Sequence, residues 1–243
     1  MQCALRRPRL GSTRLRPDPD PQVYQSRLDA TYHARNYGGS LAARMMRRGH
    51  DLLERPFDAD DMFPTVVEVG AGTGEHLPHV RHRFDRYFLT DLNPTRLADA
   101  RASLPHDLAA RVTVTSEDAT RLSFADASVD RLIACHILEH LPNPHAVLRE
   151  WHRVVCPGGV LSILLPCDPG MLWRTGRALG PRTAARRAGI EYDYWMAREH
   201  VNSIGNLVTL IRYYFETREE TWFPAVLPSV DLNLFYLCQI RRR

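Results

Sequence analysis

The chain has 243 residues, of which 44% are hydrophobic and 25% are charged, and its formal net charge is +4. This length allows one full α/β domain with a real core and a small appendage. The sequence contains no lysine, so all 32 basic residues are arginine, which we attribute to coding bias rather than to an arginine-specific partner.

The cysteine pattern indicates the redox state of the cellular compartment in which the protein works. The five cysteines are scattered, odd in number and never spaced as CxxC. This argues against a disulfide framework and a zinc ribbon, and it fits a reducing cytosol, so we expect a cytoplasmic protein. No apolar run reaches the roughly 18–20 residues of a membrane-spanning helix, and the N-terminus does not resemble a secretory signal.

In chain order, composition divides the protein into three parts. Residues 1–22 are rich in Arg and Pro and are predicted to form a disordered tail. Residues 23–60 are predicted to form a helical lid, in which Ser40 caps a helix over 41–54. Residues 61–243 form the main domain, with an irregular insert at about 167–200 that is rich in Arg and large aromatic residues.

Strand and helix signals alternate through the main domain. Five strands separated by helical segments predict a parallel, doubly wound sheet. The predicted strands are 65–69, 87–90, 111–115, 129–134 and 160–165, and the predicted helices are about 75–84, 94–103, 144–155 and 201–212. Two apolar-alternating stretches, 213–223 and 230–240, predict a closing pair of strands.

A glycine turn follows the first of these strands. Gly70, Gly72 and Gly74 form GxGxG, without the GxGxxG spacing of dinucleotide sites or the GK[ST] ending of a P-loop. Glu68 and Glu75 flank the glycines, and a carboxylate is a poor neighbour for a pyrophosphate at a helix N-terminus. The turn therefore favours a phosphate-free ligand with a cationic centre, although a purely structural tight turn is the alternative.

Two acidic positions follow the next strands. Asp91 ends the second strand about 20 residues on, where a carboxylate accepts both ribose hydroxyls of an adenosine; the alternative is a helix cap. After the third strand, Asp118 and Ala119 offer a carboxylate for an adenine amino group and a backbone N–H for a ring nitrogen.

Together with the segments CHILEHLP (135–142) and LREWHRVVCPGG (148–159), these motifs resemble the class I S-adenosylmethionine-dependent methyltransferases over about residues 60–166. The likeness is closest to the small-molecule group with an LEH signature after strand four. It implies a Rossmann-like, doubly wound, mostly parallel seven-stranded sheet with helices on both faces and an antiparallel last strand. It also implies S-adenosyl-L-methionine as the cofactor.

The resemblance assigns roles along the chain. Residues that would line the methionine part are Glu68, Gly70, Ala71, Gly72 and Gly74. Asp91 would bind the ribose, Leu92 would pack on adenine, and Asp118 and Ala119 would hold the adenine edge. The backbone carbonyl of Cys135 would meet the amino group of the methionine portion, and His136 would face the methyl group.

Methyl transfer from a sulfonium is an in-line displacement that needs orientation and desolvation. A general base matters only for a hydroxyl or a protonated amine. His136 is the best candidate for that base, with a structural role nearly as well supported, and His140 is interpreted as a satisfied buried histidine. His76, His79 and His82 are interpreted as a solvated helix face, so no metal site is expected.

The acceptor is the least readable part of the site. The resemblance places its contacts on the N-terminal helices and the 167–200 insert, which gives as candidates Tyr32, Tyr37, Tyr192, Trp195 and His200. The first hypothesis is a methyltransferase for a hydroxyl or amine of a small-molecule metabolite. The second is one for a lipid or cell-envelope precursor, with the insert on a membrane surface. The third is a non-catalytic or RNA-binding protein that uses the Arg-rich tail. The chain lacks the Asp/Asn-Pro-Pro-aromatic element of nucleobase-methylating members, so no DNA partner is expected.

Overall fold

A computed structural model describes residues 15–24 and 39–243. Its centre is a seven-stranded sheet in the order β3-β2-β1-β4-β5-β7-β6. The strands are β1 (Thr65–Val69), β2 (Arg86–Asp91), β3 (Val112–Ser116), β4 (Val129–Cys135), β5 (Val155–Pro166), β6 (Glu219–Pro224) and β7 (Asn233–Arg241). Strands β1 to β5 pair in parallel, and β7 runs antiparallel to both β5 and β6. This confirms the predicted Rossmann-like sheet.

Seven α-helices of the described residues surround the sheet. They are α1 (Leu41–Glu54), α2 (Pro94–Ser103), α3 (Pro144–Val154), α4 (Met171–Leu179), α5 (Pro181–Arg187), α6 (Tyr192–Glu199) and α7 (Ile204–Tyr214). The predicted cap of α1 is confirmed, because the Ser40 hydroxyl accepts a hydrogen bond from Ala43 N at 3.0 Å.

Side chains alternate between the two faces of the sheet along each strand, and both faces carry apolar side chains. On β1, Val67 and Val69 pack on the face covered by α3 and α7, where Trp151 is fully buried. Val66 points to the other face, beneath Leu53 of α1. The core therefore lies in two layers, one on each face of the sheet. None of the described helices is long and apolar enough to cross a membrane.

Strand order fixes where a ligand can sit. The chain leaves β1 for β2 on one side, and β4 then pairs with the opposite edge of β1. The crevice outside the carboxyl ends of β1 and β4 is thus the topological switch point, which is the usual ligand position in open α/β sheets.

The prediction of a helix over 75–84 was wrong. The chain makes one 3-10 turn, Leu77–His79, and then pairs Arg83 with Met62 in a parallel bridge. Arg83 N donates to Asp61 O and Phe63 N donates to Arg83 O, both at 3.0 Å, so these backbone groups are not available to a helix. The solvated histidine face was also wrong, since His76 is 1% and His82 is 5% exposed.

The 167–200 insert is helical rather than irregular, since it contains α4, α5 and α6. Its own small core includes Tyr192 and Trp195, and Tyr24 of the N-terminal segment stacks on Trp195 with ring centroids 4.0 Å apart. Arg16 forms an ion pair with Glu191 at 2.7 Å. Residues 1–14 of the predicted tail lie outside the described residues. Tyr32 and Tyr37 of the predicted lid lie outside them as well.

Candidate functional site

The glycine turn after β1 has backbone angles that are unfavourable for residues with a side chain. Gly70, Gly72 and Gly74 have φ values of 63°, 60° and 87°, in the region that glycine populates freely. A Cβ on Gly70 would come within 2.6 Å of the Ile137 side chain, which lies over the turn from the loop after β4. The side chain of Ile137, which directly precedes the LEH signature, therefore covers the glycine turn.

Asp91 ties this turn to the end of β2. Its Oδ2 accepts from Gly72 N at 2.9 Å and its Oδ1 accepts from Asn93 N at 2.8 Å. The side chain of Asn93 accepts from two backbone N–H groups and caps α2. Asn93 therefore takes the capping role that was the alternative for Asp91. Leu92, beside it, is 64% exposed.

The segment after β3 lies at the same edge of the sheet. The Asp118 carboxylate accepts from the backbone N–H and the hydroxyl of Thr120, at 2.8 and 2.7 Å. Ala119 is buried, and its carbonyl accepts from the Trp151 indole at 2.8 Å. Ala71, whose N–H donates to Thr90 O, fixes the turn to β2. The predicted cofactor residues thus converge on the carboxyl ends of β1 to β4.

Glu68 lies behind the turn and is only 2% exposed. Burial raises the pKa of its carboxyl to about 8, although a hydrogen bond from the Tyr87 hydroxyl at 2.7 Å opposes the shift. Glu68 is therefore protonated at neutral pH in the absence of a ligand.

A buried ion pair joins α1 to the sheet. Arg131 of β4 donates to both carboxylate oxygens of Glu54, at 2.6 and 2.9 Å, and both side chains are fully buried. Burial favours the neutral acid, but Arg131 and a hydrogen bond from His76 outweigh it and hold the pKa of Glu54 far below its usual range. The Arg131 Nε also donates to Ser162 at 3.0 Å.

A histidine relay extends from this ion pair to the site. Because Glu54 is ionised, His76 Nε2 donates to it at 2.9 Å, which leaves His76 Nδ1 as an acceptor 3.0 Å from His50 Nδ1. Cys135 Sγ lies 3.7 Å from the same nitrogen. This relay was not predicted, because His50 and Glu54 belong to no local motif and Cys135 was assigned a role only through its backbone carbonyl.

His136 follows β4 directly and has the left-handed φ of 54°. Its Nε2 is buried and has no hydrogen-bond partner among the described residues. Burial, followed by His140 and His200, lowers the pKa of the ring to about 3, so the imidazole is neutral. Its Nδ1 lies 3.9 Å from Glu139 Oε1.

A second polar cluster adjoins His136 at the end of β5. His200 Nδ1 lies 2.8 Å from Asp168 Oδ2, and Arg177 donates to the same carboxylate oxygen at 2.8 Å. Burial opposes ionisation of Asp168, but His200 and Arg177 outweigh it and lower the pKa. Burial also raises the pKa of Glu139 to about 8. His200, an acceptor candidate, is thus close to the predicted base.

Two other acceptor candidates lie apart from this cluster. Tyr192 and Trp195 are 7% and 5% exposed and belong to the core of the insert. Arg177 lies over the Tyr192 ring at 5.7 Å, which connects that core to Asp168. A direct contact of Tyr192 or Trp195 with an acceptor stays a prediction.

Part of the chain matches a known protein family, and several known proteins are similar to it in sequence. A family described as a methyltransferase domain matches residues 67–163. The chain is 27% identical over 162 residues to the chloroplastic 2-methyl-6-phytyl-1,4-hydroquinone methyltransferase 2 of Oryza sativa subsp. japonica, which covers 63% of this chain and 45% of the rice protein. An uncharacterized methyltransferase of Mycobacterium sp. (strain KMS) is 30% identical over 165 residues, covering 66% and 63% of the two chains. The chain spans about half the length of the plant relatives it matches.

The solved structures share the fold. A Thermotoga maritima SAM-dependent methyltransferase, described as a possible histamine N-methyltransferase, superposes with a TM-score of 0.61 at 16% identity, covering 91% of this chain and 99% of that one. Likeness at this identity concerns the fold. Residues 67–163 of this chain thus match a methyltransferase-domain family, and the chain as a whole shares the fold of S-adenosylmethionine-dependent methyltransferases.

Proposed function

We propose that the protein transfers the methyl group of S-adenosyl-L-methionine to a hydroxyl or amine of a small-molecule acceptor. The observation that carries this proposal is the buried, unpartnered Nε2 of His136 at the switch point of the sheet. In this proposal, the cofactor is held by Gly70, Ala71, Gly72, Gly74, Asp91, Leu92, Asp118, Ala119 and the carbonyl of Cys135, with Glu68 behind the turn.

The sulfonium supplies the activated methyl group, so the protein has to orient it and exclude water. The lone proton transfer is from the acceptor, and a neutral imidazole can take that proton as the bond to carbon forms. Burial lowers the pKa of the His136 ring to about 3, which keeps it unprotonated but also makes it a weak base, so its proposed role comes from its position and its open Nε2 rather than from its basicity. Glu139 Oε1 lies 3.9 Å from Nδ1, which is beyond hydrogen-bond distance.

The experiment starts with calorimetric titration of S-adenosylmethionine. We expect the wild type to bind and Asp91→Ala to lose most of the affinity, because both ribose hydroxyls lose their acceptor. Asn93→Ala is the matched control: it removes the α2 cap two residues away and costs about 1 kcal/mol of stability, but it leaves the affinity within a few-fold. No binding by the wild type would refute the proposal.

The acceptor is then sought with tritiated methyl donor and a panel of phenols, hydroxy acids and amines. We expect label to enter at least one hydroxyl or amine compound, and His136→Gln to slow that transfer without weakening cofactor binding. Label that enters carbon positions alone would contradict the proposed acceptor class.

A lipid acceptor at a membrane surface is the second candidate. It is favoured by exposed apolar side chains on α4 and on the β6–β7 loop, where Met171, Leu179, Val226 and Leu227 are 61%, 83%, 79% and 61% exposed. Leu172 N donates to Asp231 O at 3.0 Å, which holds the helix beside the loop. The rice relative is named for a hydroquinone that carries a phytyl chain.

Vesicle co-sedimentation tests this candidate. We expect binding to phosphatidylglycerol-containing vesicles that Leu179→Ser/Leu227→Ser weakens several-fold, because the two side chains no longer enter the interface. Tyr213→Ser on α7, which removes another exposed ring (78% exposed), is the control. Equal sedimentation of the Leu179→Ser/Leu227→Ser variant and the wild type would eliminate the membrane role of this surface.

A further inference from the structure

Three potential metal ligands meet beside His136. Glu139 and His140 come from the turn after β4, and His200 comes from the end of α6. One ligand atom of each lies within 4.8 Å of those of the other two. Ligands on a tetrahedral zinc ion, each about 2.0–2.2 Å from the metal, are separated by a little over 3 Å, so a small inward shift of side chains would complete such a site.

The His140 imidazole is held in the tautomer that leaves Nε2 for a metal, and the His200 ring lies beside a carboxylate. His140 Nδ1 lies 3.0 Å from the carbonyl oxygen of Glu199, which can only accept, so Nδ1 carries the hydrogen and Nε2 keeps a lone pair. His200 Nδ1 lies 2.8 Å from the Asp168 carboxylate that Arg177 holds in place, but the contact does not have the angle of a hydrogen bond, so it leaves the tautomer of His200 open. A carbonyl or carboxylate on the other ring nitrogen is the usual arrangement around metal-binding histidines.

The third ligand is a carboxylate whose hydrogen-bonding capacity is not used. Glu139 is 3% exposed, and its Oε2 has no hydrogen-bond partner within the described part of the chain. Its Oε1 lies 3.9 Å from His140 Nε2 and 3.9 Å from His136 Nδ1, beyond hydrogen-bond distance. Buried polar atoms normally have a partner, so an unpartnered buried carboxylate oxygen points to a missing one.

We propose that Glu139, His140 and His200 bind a divalent transition-metal ion. Two imidazole nitrogens and one carboxylate suit Zn²⁺, Fe²⁺ or Co²⁺ rather than Mg²⁺ or Ca²⁺, which prefer oxygen ligands throughout. Three protein ligands leave at least one coordination position for water or for another molecule.

The other histidine cluster differs in how its nitrogens are used. His50, His76 and Cys135 also bring ligand atoms together. There, however, His76 Nε2 is 2.9 Å from Glu54, and its Nδ1 is 3.0 Å from His50 Nδ1. These groups satisfy one another without an ion, whereas Glu139 Oε2 meets no hydrogen-bond partner among residues 15–24 and 39–243.

The ion would also act on the acceptor, a consequence that rests on the proposed function. An acceptor oxygen in the open position would lose its proton more readily, because a bound cation stabilises the oxyanion. Among hydroxyl and amine acceptors, this site therefore favours hydroxyls, with His136 next to the metal to receive the proton.

The test uses the untagged full chain, stripped with a chelator and titrated with Zn²⁺ and with Co²⁺ as an optical probe. We expect one equivalent to bind. We expect Glu139→Gln and His200→Gln to lower the affinity at least about 100-fold, and Asp168→Asn, which loosens His200, to lower it about 10- to 100-fold. His145→Gln, at an exposed histidine on α3, is the control and should bind as the wild type does.

Three results would overturn the proposal. One is no stoichiometric binding by the wild type, and the second is unchanged binding by Glu139→Gln. The third is loss of binding in His50→Gln with retention in His200→Gln, which would place the ion in the other cluster. If the variants fail to fold, a zinc-soaked crystal of the wild type decides: an anomalous peak about 2.0–2.2 Å from Glu139, from His140 Nε2 and from one ring nitrogen of His200 is expected, and a peak elsewhere or none refutes the site.

Metal titration needs neither cofactor nor acceptor, so the two proposals fail separately. Binding of metal without methyl transfer would leave the site standing and remove the proposed function. Methyl transfer by a chain that binds no metal would do the reverse.

Discussion

His136 keeps a side chain where glycine would be less strained. Its φ of 54° costs a residue with a Cβ about 1–2 kcal/mol, and strained residues of this kind cluster at functional sites. Its ring lies edge-on to Phe235, with centroids 5.6 Å apart. The backbone preference and the packing of the ring therefore oppose each other at this position.

This opposition gives a test that separates function from structure. We expect His136→Gly to change the free energy of unfolding by less than about 1 kcal/mol, since relief of the left-handed conformation offsets the lost packing. Methyl transfer should fall about 10²- to 10⁴-fold if the ring is the base. Urea denaturation and single-turnover transfer measure the two effects, and transfer at the wild-type rate would assign His136 a structural role.

Glu68 predicts how stability depends on pH. Its pKa is raised to about 8 in the folded chain, so the folded state keeps a proton that the unfolded chain loses near pH 4.5. Stability is therefore highest below that pH and falls as pH rises towards 8. Relative to Glu68→Gln, the wild type should lose up to about 1.4 kcal/mol per pH unit across this window.

Urea denaturation at pH 5, 6.5 and 8 measures this difference. Glu220→Gln is the control, because Arg212 and Arg218 lower the pKa of Glu220 to about 2, below the tested range. Its difference from the wild type should stay constant with pH. Parallel profiles for Glu68→Gln and the wild type would show that Glu68 titrates normally.

Among the elements, α1 is joined to the sheet by polar contacts as well as by its apolar face. The Glu54–Arg131 pair connects it to β4, and Gln239 of β7 donates to Leu53 O at 2.7 Å. The same helix carries His50 to the relay. A movement of α1 would therefore shift His50 and Glu54 relative to His76.

We expect Glu54→Gln or Arg131→Met alone to destabilise the protein by about 3–5 kcal/mol, because each leaves a buried charge without its partner. The double variant Glu54→Gln/Arg131→Met should cost less than the sum of the two single changes. Chemical denaturation of the four proteins gives the coupling, and additive losses would mean that the pair is not coupled.

The sequence predicted those elements whose signals are local. The strands, the Ser40 cap and the glycine turn each depend on a few adjacent residues, so their patterns could be interpreted directly. The helix over 75–84 could not be excluded this way, because the backbone bonds that prevent it come from Asp61 and Phe63.

The same limit applies to the site. Glu54 and Arg131 are 77 residues apart, and His140 and Glu199 are 59 apart. Neither contact leaves a trace in spacing, so the sequence alone does not show which distant groups Glu54 and His140 meet. That the predicted cofactor residues lie at one edge of the sheet was predictable, because each strand of a parallel sheet delivers its next residues to the same crevice.

At the scale of the whole molecule, cofactor binding should stabilise the fold by mass action. S-adenosylhomocysteine at 100 times its dissociation constant adds about 2.7 kcal/mol, which for a chain of this size raises the Tm by roughly 5–10 °C. Differential scanning fluorimetry measures the shift, and Asp91→Ala should show little of it at the same concentration. An equal shift in both proteins would place the ligand away from Asp91.

Tyr24 lies flat on Trp195, with ring planes 9° apart, at the junction of the N-terminal segment and the helical insert. The chain therefore carries its own optical reporter. Of the four tryptophans, Trp151 on α3 is fully buried and Trp222 on β6 is 5% exposed, so we expect a constant background from these two. The emission of Trp195 depends on whether a phenol covers it. A compound library can thus be screened by intrinsic fluorescence for molecules that move these two segments, before any acceptor is known.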